Sequence, residues 1–203
     1  MLRRSLVLVV ALVATLVIAA SAVAASVTVR VEGKTQTIFG SMPAKVDAGN
    51  ALQALDLAST LGEFFIMLTH SSFGDYVSQI GKYPGAGNAG WVFKVNGVSP
   101  QVGADQVALK DGDSVVWYWA TFGPNGGPPT LELGPVAAQK NCYRVISLDD
   151  AGKQVPVTNA VLHVDGRRVK TQGATGGAVG CVGSHRGPVR AYAVGAVRSN
   201  SAK

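Results

Sequence analysis

Hydrophobic and polar residues alternate with a period of two through most of the chain, which predicts a protein built mainly from β-strands. In "SVTVRVEGKTQTIF" three valines alternate with polar residues before a Gly-containing turn, so this stretch predicts a β-hairpin. "WVFKV" alternates in the same way, with Trp91, Phe93 and Val95 on one face. It ends at Asn96-Gly97, a strong turn signal because both residues tolerate positive φ. "VVWYWAT" predicts a further strand, with Trp117 and Trp119 on one face.

One segment follows the helical period instead. In "DAGNALQALDLASTLG", Leu52, Leu55 and Ala58 recur at helical spacing. Asp47 is a candidate N-cap and Gly62 a candidate stop signal. A single short helix is therefore expected, with its apolar stripe lying on a sheet.

The first residues have the pattern of a secretory signal peptide. Arg3 and Arg4 precede an apolar run that ends in the small residues of "SAVAAS". We predict a signal peptide at residues 1–25, cut after Ala24 or Ala25. The alternative is an uncleaved membrane anchor, since the apolar run is long for a signal.

Two domains are predicted in the remaining chain. "FGPNGGPP", residues 122–129, is rich in Gly and Pro, which is typical of the end of a domain and the start of a linker. The short alternating strands after it predict a β-sandwich. We expect a first domain at 26–122, a linker at 123–139 and a second domain at 140–203. Charge supports this division, because residues 26–133 carry six basic and nine acidic residues, whereas 134–203 carry ten basic and three acidic.

Cys142 and Cys181 are the two cysteines of the chain. In an exported protein such a pair is typical of a disulfide, and this one would close a loop of about 40 residues. A metal site is the alternative, but the pattern offers no CxxC or HxxxH partner.

The stretches "YVSQIG", "GWVFKVNGVSP" and "VGADQVALKDGD", together with the last aromatic strand, resemble the transcobalamin-like C-terminal domain family over about residues 27–122. The resemblance implies a small β-grasp-like domain, with Trp91 and the strand Val92 to Gly97 as a fold signature. In vitamin B12 carriers such a domain closes over cobalamin against a large helical barrel. This chain has no helical repeats for that barrel, so no cobalamin contact is carried over.

The region of about residues 140–200 resembles a carboxypeptidase-regulatory-like or transthyretin-like sandwich. The residues that suggest it are "GKQVPVTNAVLHVDGRRVKT" and the Gly-rich turns that follow. Its "TQGATGG" lacks the Thr-Asp pair common in that family. The resemblance implies a spacer or adhesion unit more than a catalyst. The fold class predicted for the whole chain is mainly β with one helix (α+β), a β-grasp-like domain followed by a small sandwich.

Aromatic residues are the best candidates for binding. The side chain of Tyr118 is expected on the opposite strand face from Trp117 and Trp119, near solvent. With the loop that begins at Tyr83, it could form a shallow platform for a flat ligand. The alternative is that these aromatics fill the core. The candidate ligand-binding residues are Tyr83, Trp91, Tyr118 and Phe122.

Catalytic and metal sites find little support. His70, His163 and His185 lie far apart, and Ser184 beside His185 lacks the strand-turn-helix context of a nucleophile. The aspartates of "KDGDS" are typical of a turn, because the further oxygen ligands of a calcium loop are missing. Arg167 and Arg168 are adjacent on a strand and so face opposite ways.

We therefore predict an exported, non-enzymatic binding module that takes a small, cobalamin-like ligand or a protein partner. The alternative is a structural or adhesive surface protein without a small ligand. No catalytic residue, metal or cofactor is predicted, and no nucleic acid partner. A cell-wall polymer is a further candidate partner, and membrane contact is expected only if the N-terminal segment is uncleaved.

Overall fold

The computed structural model describes residues 24–71, 74–124, 126–173 and 175–203. The predicted signal peptide lies outside these ranges except for Ala24 and Ala25, so it stays a prediction. Within the described ranges, no helix has the length and apolar character needed to cross a bilayer.

The first half of the chain, up to residue 121, is a mixed sheet with a helix on one face. Its elements, in the part that the structure describes, are β1 (Ala25–Glu32), β2 (Thr37–Ala48), α1 (Ala51–Leu61), β3 (Ile66–Ser71), β4 (Gly74–Ile80), β5 (Tyr83–Pro84), β6 (Ala89–Val95) and β7 (Ser114–Thr121). The main sheet has the order β2-β1-β7-β6, in which β1 and β7 are parallel and the outer pairs are antiparallel. This arrangement is β-grasp-like, as the sequence predicts. Strands β3, β4 and β5 form a separate small sheet.

Helix α1 packs against the main sheet through its small and branched residues. The buried side chains are Ala51, Ala54, Leu55 and Ala58. Asn50 caps the helix by accepting a 2.8 Å hydrogen bond from the N–H of Gln53. The expected cap, Asp47, is wrong, because that residue still lies within β2. Gly62 ends the helix, as predicted from the sequence.

The turn after β6 requires positive φ angles, which explains the Asn96-Gly97 pair at this position. Asn96 has φ 51° and Gly97 has φ 82°, the left-handed pair that a tight turn of this kind requires. A Cβ atom on Gly97 would lie 2.6 Å from Leu148 of the second half. The turn is therefore also a close contact between the two halves of the chain.

The second half is a β-sandwich, as predicted. Its strands, in the described residues, are β8 (Thr130–Pro135), β9 (Cys142–Leu148), β10 (Gln154–Val155), β11 (Val161–Val164), β12 (Arg167–Lys170), β13 (Ala178–Cys181), β14 (Val189–Tyr192) and β15 (Ser201–Ala202). One sheet is built around β9, which pairs with β8, β10 and β13, and the other has the order β12-β11-β14-β15. Strand β8 lies within the range expected to be a linker, so that range is not free of regular structure.

A disulfide joins Cys142 to Cys181, which confirms the predicted pairing. The two residues are direct neighbours in the ladder between β9 and β13. The sandwich core beside them is made of the apolar residues Leu131, Leu133, Tyr143, Val145, Leu162, Val164, Val189 and Ala191.

Strand β7 is buried on both faces. Val115 and Trp117 face the helix, whereas Val116, Tyr118 and Ala120 belong to a separate cluster that includes Val197 of the second half. The two halves therefore share a packed interface over the back of the main sheet.

A buried ionic cluster centred on Glu32 also joins the halves. The carboxylate of Glu32 is 1 % exposed and accepts from Arg190 at 2.6 Å, from Arg198 at 2.8 Å and from Arg30 at 3.2 Å. Thr37 donates a fourth hydrogen bond, at 2.8 Å. Burial lowers the pKa of Arg30, and the charge of Glu32 acts against that shift. A single carboxylate thus holds together three guanidinium groups, two of them from the second half.

Replacing Glu32 by Gln should destabilise the protein by about 3–5 kcal/mol, because three buried cations would lose their counter-charge while the side-chain shape is kept. Urea unfolding measures the change. The control is Asp56→Asn, which removes an exposed carboxylate of α1 and should leave stability within about 0.5 kcal/mol of the parent. Equal stability of the two variants would contradict the role given to Glu32.

Removing the disulfide through the double variant Cys142→Ala, Cys181→Ala should lower the free energy of unfolding by about 3–4 kcal/mol, because the unfolded chain would regain the freedom of the closed loop. Thermal unfolding with and without a reductant measures this change. The reductant should lower the stability of the parent and leave the double variant unaffected.

Candidate functional site

A groove of about 280 Å³ lies beside strand β6. Six of its lining residues are aromatic, and the lining comes from both halves of the chain. The residues that define it are Tyr76 on β4, Trp91 and Phe93 on β6, Pro100 in the following loop, Phe122 after β7, and Asp150 in the second half. Small-molecule sites are typically about 300–1,000 Å³, so this groove is at the small end of that range.

The groove follows the open edge of the main sheet, because β6 pairs with β7 on one side only. The N–H of Asn96 donates to the carbonyl of Ser114, at 2.9 Å. Hydrogen-bonding direction alternates along a strand, so the even-numbered residues of β6 are the ones that bond to β7.

The odd-numbered residues of β6 turn their main-chain groups the other way. Ala89 and Val95 accordingly bond to the loops at Ala86 and Val98. Trp91 and Phe93 lie between them and direct their N–H and C=O groups toward the open edge. Neither residue has a partner for these groups within the part of the chain that the structure describes. The groove therefore combines apolar rings with unsatisfied main-chain donors and acceptors.

Asp150 forms the wall that the second half contributes. Its carbonyl accepts from the N–H of Ser99 at 2.8 Å, and its carboxylate accepts from the Ser99 hydroxyl at 3.2 Å. The Tyr118 hydroxyl lies 3.4 Å from the same carboxylate. These bonds fix the loop after β6 against the turn that carries Asp150.

Lys94 binds the segment of the second half that carries Asp150. Its side chain is fully buried, and its ammonium group donates to the carbonyls of Asp149 at 2.7 Å and Leu148 at 3.0 Å. The Asp150 carboxylate lies 3.6 Å away. Burial lowers the pKa of Lys94, and the charge of Asp150 opposes that change. Lys94 lies on the opposite strand face from Trp91 and Phe93, as the sequence predicts.

The structure divides the four predicted ligand-binding residues. Trp91, Tyr118 and Phe122 line the groove, with Phe122 39 % exposed. Tyr83 does not, because its ring packs on Trp91 and Trp119 in the core. The structure therefore does not bring the Tyr83 loop and Tyr118 together as one platform, and ligand binding by these residues stays a prediction.

The expectation that Tyr118 lies near solvent is wrong. Its side chain is 1 % exposed, because the second half covers that face of β7. Tyr118 nevertheless borders the groove. The tryptophans are mainly core residues, as the alternative interpretation predicts: Trp117 stacks on Phe93 at 4.8 Å and Trp91 meets Trp119 edge-on at 5.8 Å.

Sequence reasoning missed Tyr76, Phe93, Pro100 and Asp150 as lining residues. Tyr76 is 54 % exposed on β4, a signal that the sequence alone could not give. Phe93 was recognised as a strand residue on the face of Trp91, and the edge position of β6 is what gives it a place in the groove.

The three histidines have separate surroundings. His70 pairs with Asp75 at 2.6 Å on the surface, His163 stacks on Tyr192, and His185 bonds to the hydroxyl of Tyr143 at 2.9 Å. None of these contacts joins a histidine to a serine or cysteine side chain. Among the described residues, no group of three or more His, Cys, Asp or Glu side chains is placed to hold a metal ion.

One protein-family model matches part of the chain. Residues 50–121 match the model of a domain of unknown function (DUF4430). The match covers about a third of the chain, from α1 to β7, and contains most of the groove but neither Phe122 nor Asp150. No curated protein matches the chain.

One similar solved structure is that of a protein from Ruminococcus gnavus, described as a candidate metal-binding protein. It is 15 % identical, with a TM-score of 0.37, and the match covers 47 % of this chain and 95 % of that one. At this TM-score the likeness carries no conclusion about the ligand of the present chain.

Tyr118 makes the stability of the fold sensitive to alkali. Burial, assisted by the charge of Asp150, raises the pKa of Tyr118 above its ordinary value of 10.0. The unfolded chain therefore loses this proton before the folded chain does, and the stability from Tyr118 is present below pH 10 and lost as the pH rises further.

Tyr118→Phe should consequently flatten the fall in unfolding free energy above pH 10. Urea unfolding over a pH series measures how steeply the free energy of unfolding falls above pH 10. A part of the fall should remain, because burial also raises the pKa of Tyr143. The control is Tyr76→Phe, which removes an exposed hydroxyl and should leave the slope unchanged; a slope that Tyr118→Phe also leaves unchanged would contradict the assignment.

Proposed function

We propose that this chain is an exported, non-enzymatic binding protein whose ligand lies in the groove beside β6. The observation that carries the proposal is the coincidence of two features in one concave site. Exposed aromatic rings border the groove, and the main-chain groups of Trp91 and Phe93 face it without partners among the residues that the structure describes. Buried or half-buried main-chain groups are normally paired, so a site that leaves two residues unpaired is suited to a ligand that bonds to them.

The ligand chemistry follows from the lining. Tyr76, Phe93 and Phe122 favour a flat apolar surface. The edge of β6 favours a ligand with amide-like donors and acceptors, either in a small molecule or in an extended segment of a partner. Asp75 and Asp150 favour a neutral or cationic ligand over an anion.

The resemblance to transcobalamin-like domains makes cobalamin the first small molecule to test. A corrin ring is larger than the groove, so only one edge of it would enter. The amide groups on the ring periphery are the groups that could meet the free edge of β6. The helical barrel that completes the site in vitamin B12 carriers has no counterpart in the described fold, so binding would be weaker than in those carriers.

The proposal also includes an extracytoplasmic location and a division of the chain into two domains. The disulfide between Cys142 and Cys181 favours an oxidising, extracytoplasmic location, in agreement with a signal peptide at residues 1–25. We place the binding domain at 26–122 and the sandwich at 140–203. The segment between them contributes β8 to the sandwich.

A structural or adhesive role without a small ligand is the second candidate. The hairpin of β3 and β4 favours it, because this hairpin exposes apolar side chains on both faces. Phe65 is 55 % exposed, Met67 51 % and Leu68 36 %. Neighbouring exposed apolar residues are typical of surfaces that bind other proteins.

Titrating residues 26–203 with cobalamin, followed by tryptophan fluorescence and calorimetry, tests the groove. Saturable binding is expected, and Phe122→Ala should weaken it at least about tenfold, because a contacting ring is worth about 1.5 kcal/mol or more. The matched control is Phe65→Ala, which removes a ring that is even more exposed, directly before β3, and should leave the affinity unchanged.

Absence of ligand binding in this titration would decide between the small-ligand function and the adhesive role. If neither cobalamin nor the neutral apolar dye Nile red binds in a way that depends on Phe122, the small-ligand function is wrong. Adhesion to a protein-coated surface that Phe65→Ala reduces and Phe122→Ala does not would then support the adhesive role.

A further inference from the structure

The second sheet of the sandwich carries a row of three basic residues that are distant in the linear sequence. The register pairs His163 of β11 with Arg168 of β12 and with Arg190 of β14. Directly opposed residues point to the same side of a sheet. The three side chains therefore share one face and cross three strands. Leu162 and Ala191, which alternate with them, are fully buried in the sandwich core, so the row lies on the outer face.

A second row lies two residues further along on the same face. It consists of Lys170, Val161 and Tyr192. The ring of Tyr192 packs on His163, with centroids 4.2 Å apart and planes 30° from parallel. Burial and the neighbouring charge of Arg168 lower the pKa of His163, so its imidazole is neutral at pH 7 and forms a stacked aromatic pair with Tyr192.

A groove of about 420 Å³ runs over this face. Ser41 and Met42 of β2 close one side of it, and Met42 is 45 % exposed. Three arginines and one aspartate line it, and one of the arginines, Arg190, is neutralised by Glu32, so a formal excess of one positive charge remains. The aspartate, Asp165, is already bonded to the backbone N–H groups of Arg186 and Gly187.

The cations of this face differ in availability. Arg190 is bound to Glu32, and Arg167 faces away from Arg168 and donates to the carbonyl of Ser184. Arg168 and Lys170 are exposed, and neither makes a side-chain hydrogen bond or ion pair with any residue in the described ranges. Two exposed cations thus lie on the same sheet face as the stacked pair of Tyr192 and His163.

We propose that this face binds an anionic polysaccharide. The charged groups of the polymer would meet Arg168 and Lys170, and a sugar ring would pack on Tyr192 and His163. The groove is open along its length, which suits a chain rather than a single ion. An anionic glycan also fits the oxidising compartment that the disulfide favours. This site is separate from the groove beside β6, which is acidic, so the inference does not depend on the proposed function.

The test uses the protein from residue 26 onward and dextran sulfate as the probe, with neutral dextran beside it, in calorimetric titrations at two salt concentrations. Dextran sulfate should bind saturably and more weakly at high salt, while neutral dextran should not bind. Arg168→Glu should weaken binding at least about tenfold. Lys140→Glu makes the same charge change at an exposed position outside this sheet and should weaken binding by less than about threefold.

Tyr192→Ala tests the role of the aromatic surface and should weaken binding without changing the salt dependence, provided that circular dichroism shows the fold intact. Equal losses for Arg168→Glu and Lys140→Glu would mean attraction by net charge alone and would overturn the site. Absence of binding would overturn it as well. A single-stranded oligonucleotide that displaces dextran sulfate and binds more tightly would overturn the choice of a polysaccharide.

Discussion

The buried carboxylate of Glu32 is the contact on which the union of the two halves depends. It ends β1, the central strand of the first half, and it neutralises Arg190 and Arg198 of the second half. Without it, three guanidinium groups would remain away from water with no counter-charge, which is among the least favourable arrangements in a protein interior. The interface over β7 and the positions of Lys94 and Asp150 follow from this docking.

The groove beside β6 is consequently a property of both halves. The β-grasp-like sheet supplies the aromatic rings and the free strand edge, and the sandwich supplies Asp150, which fixes the loop that carries Ser99. Residues 50–121, which match the DUF4430 model, contain the strand edge and all of these rings except Phe122, but not Asp150. A domain cut at residue 122 would keep the rings and lose the wall. The sandwich is thus more than a spacer in the geometry of this site.

Features that depend on local periodicity could be predicted from the sequence, and features that depend on docking could not. Alternation placed Trp91 and Phe93 on one face and Lys94 on the other, and the turn at Asn96-Gly97 follows from its chemistry. The solvent exposure predicted for Tyr118 was wrong because alternation cannot tell which face a second unit covers. One signal was present: "VVWYWA" is apolar on both faces, which is typical of a strand covered on two sides. Asp150 joins the groove across 51 residues from Ser99, and no local pattern indicates such a contact.

The pairing of β1 has a consequence for the order in which the chain folds. Its parallel partner, β7, begins at Ser114. Arg190 and Arg198, which neutralise Glu32, lie 158 and 166 residues after Glu32 in the sequence. Arg30 is a local partner of Glu32, but the two arginines of the second half can join it only when almost the whole chain is available. Contacts of such long sequence separation slow folding, because the loop between them has to close before they contribute. The half of the protein that emerges first during synthesis thus gains two of the ionic partners of its buried carboxylate only near the end of synthesis.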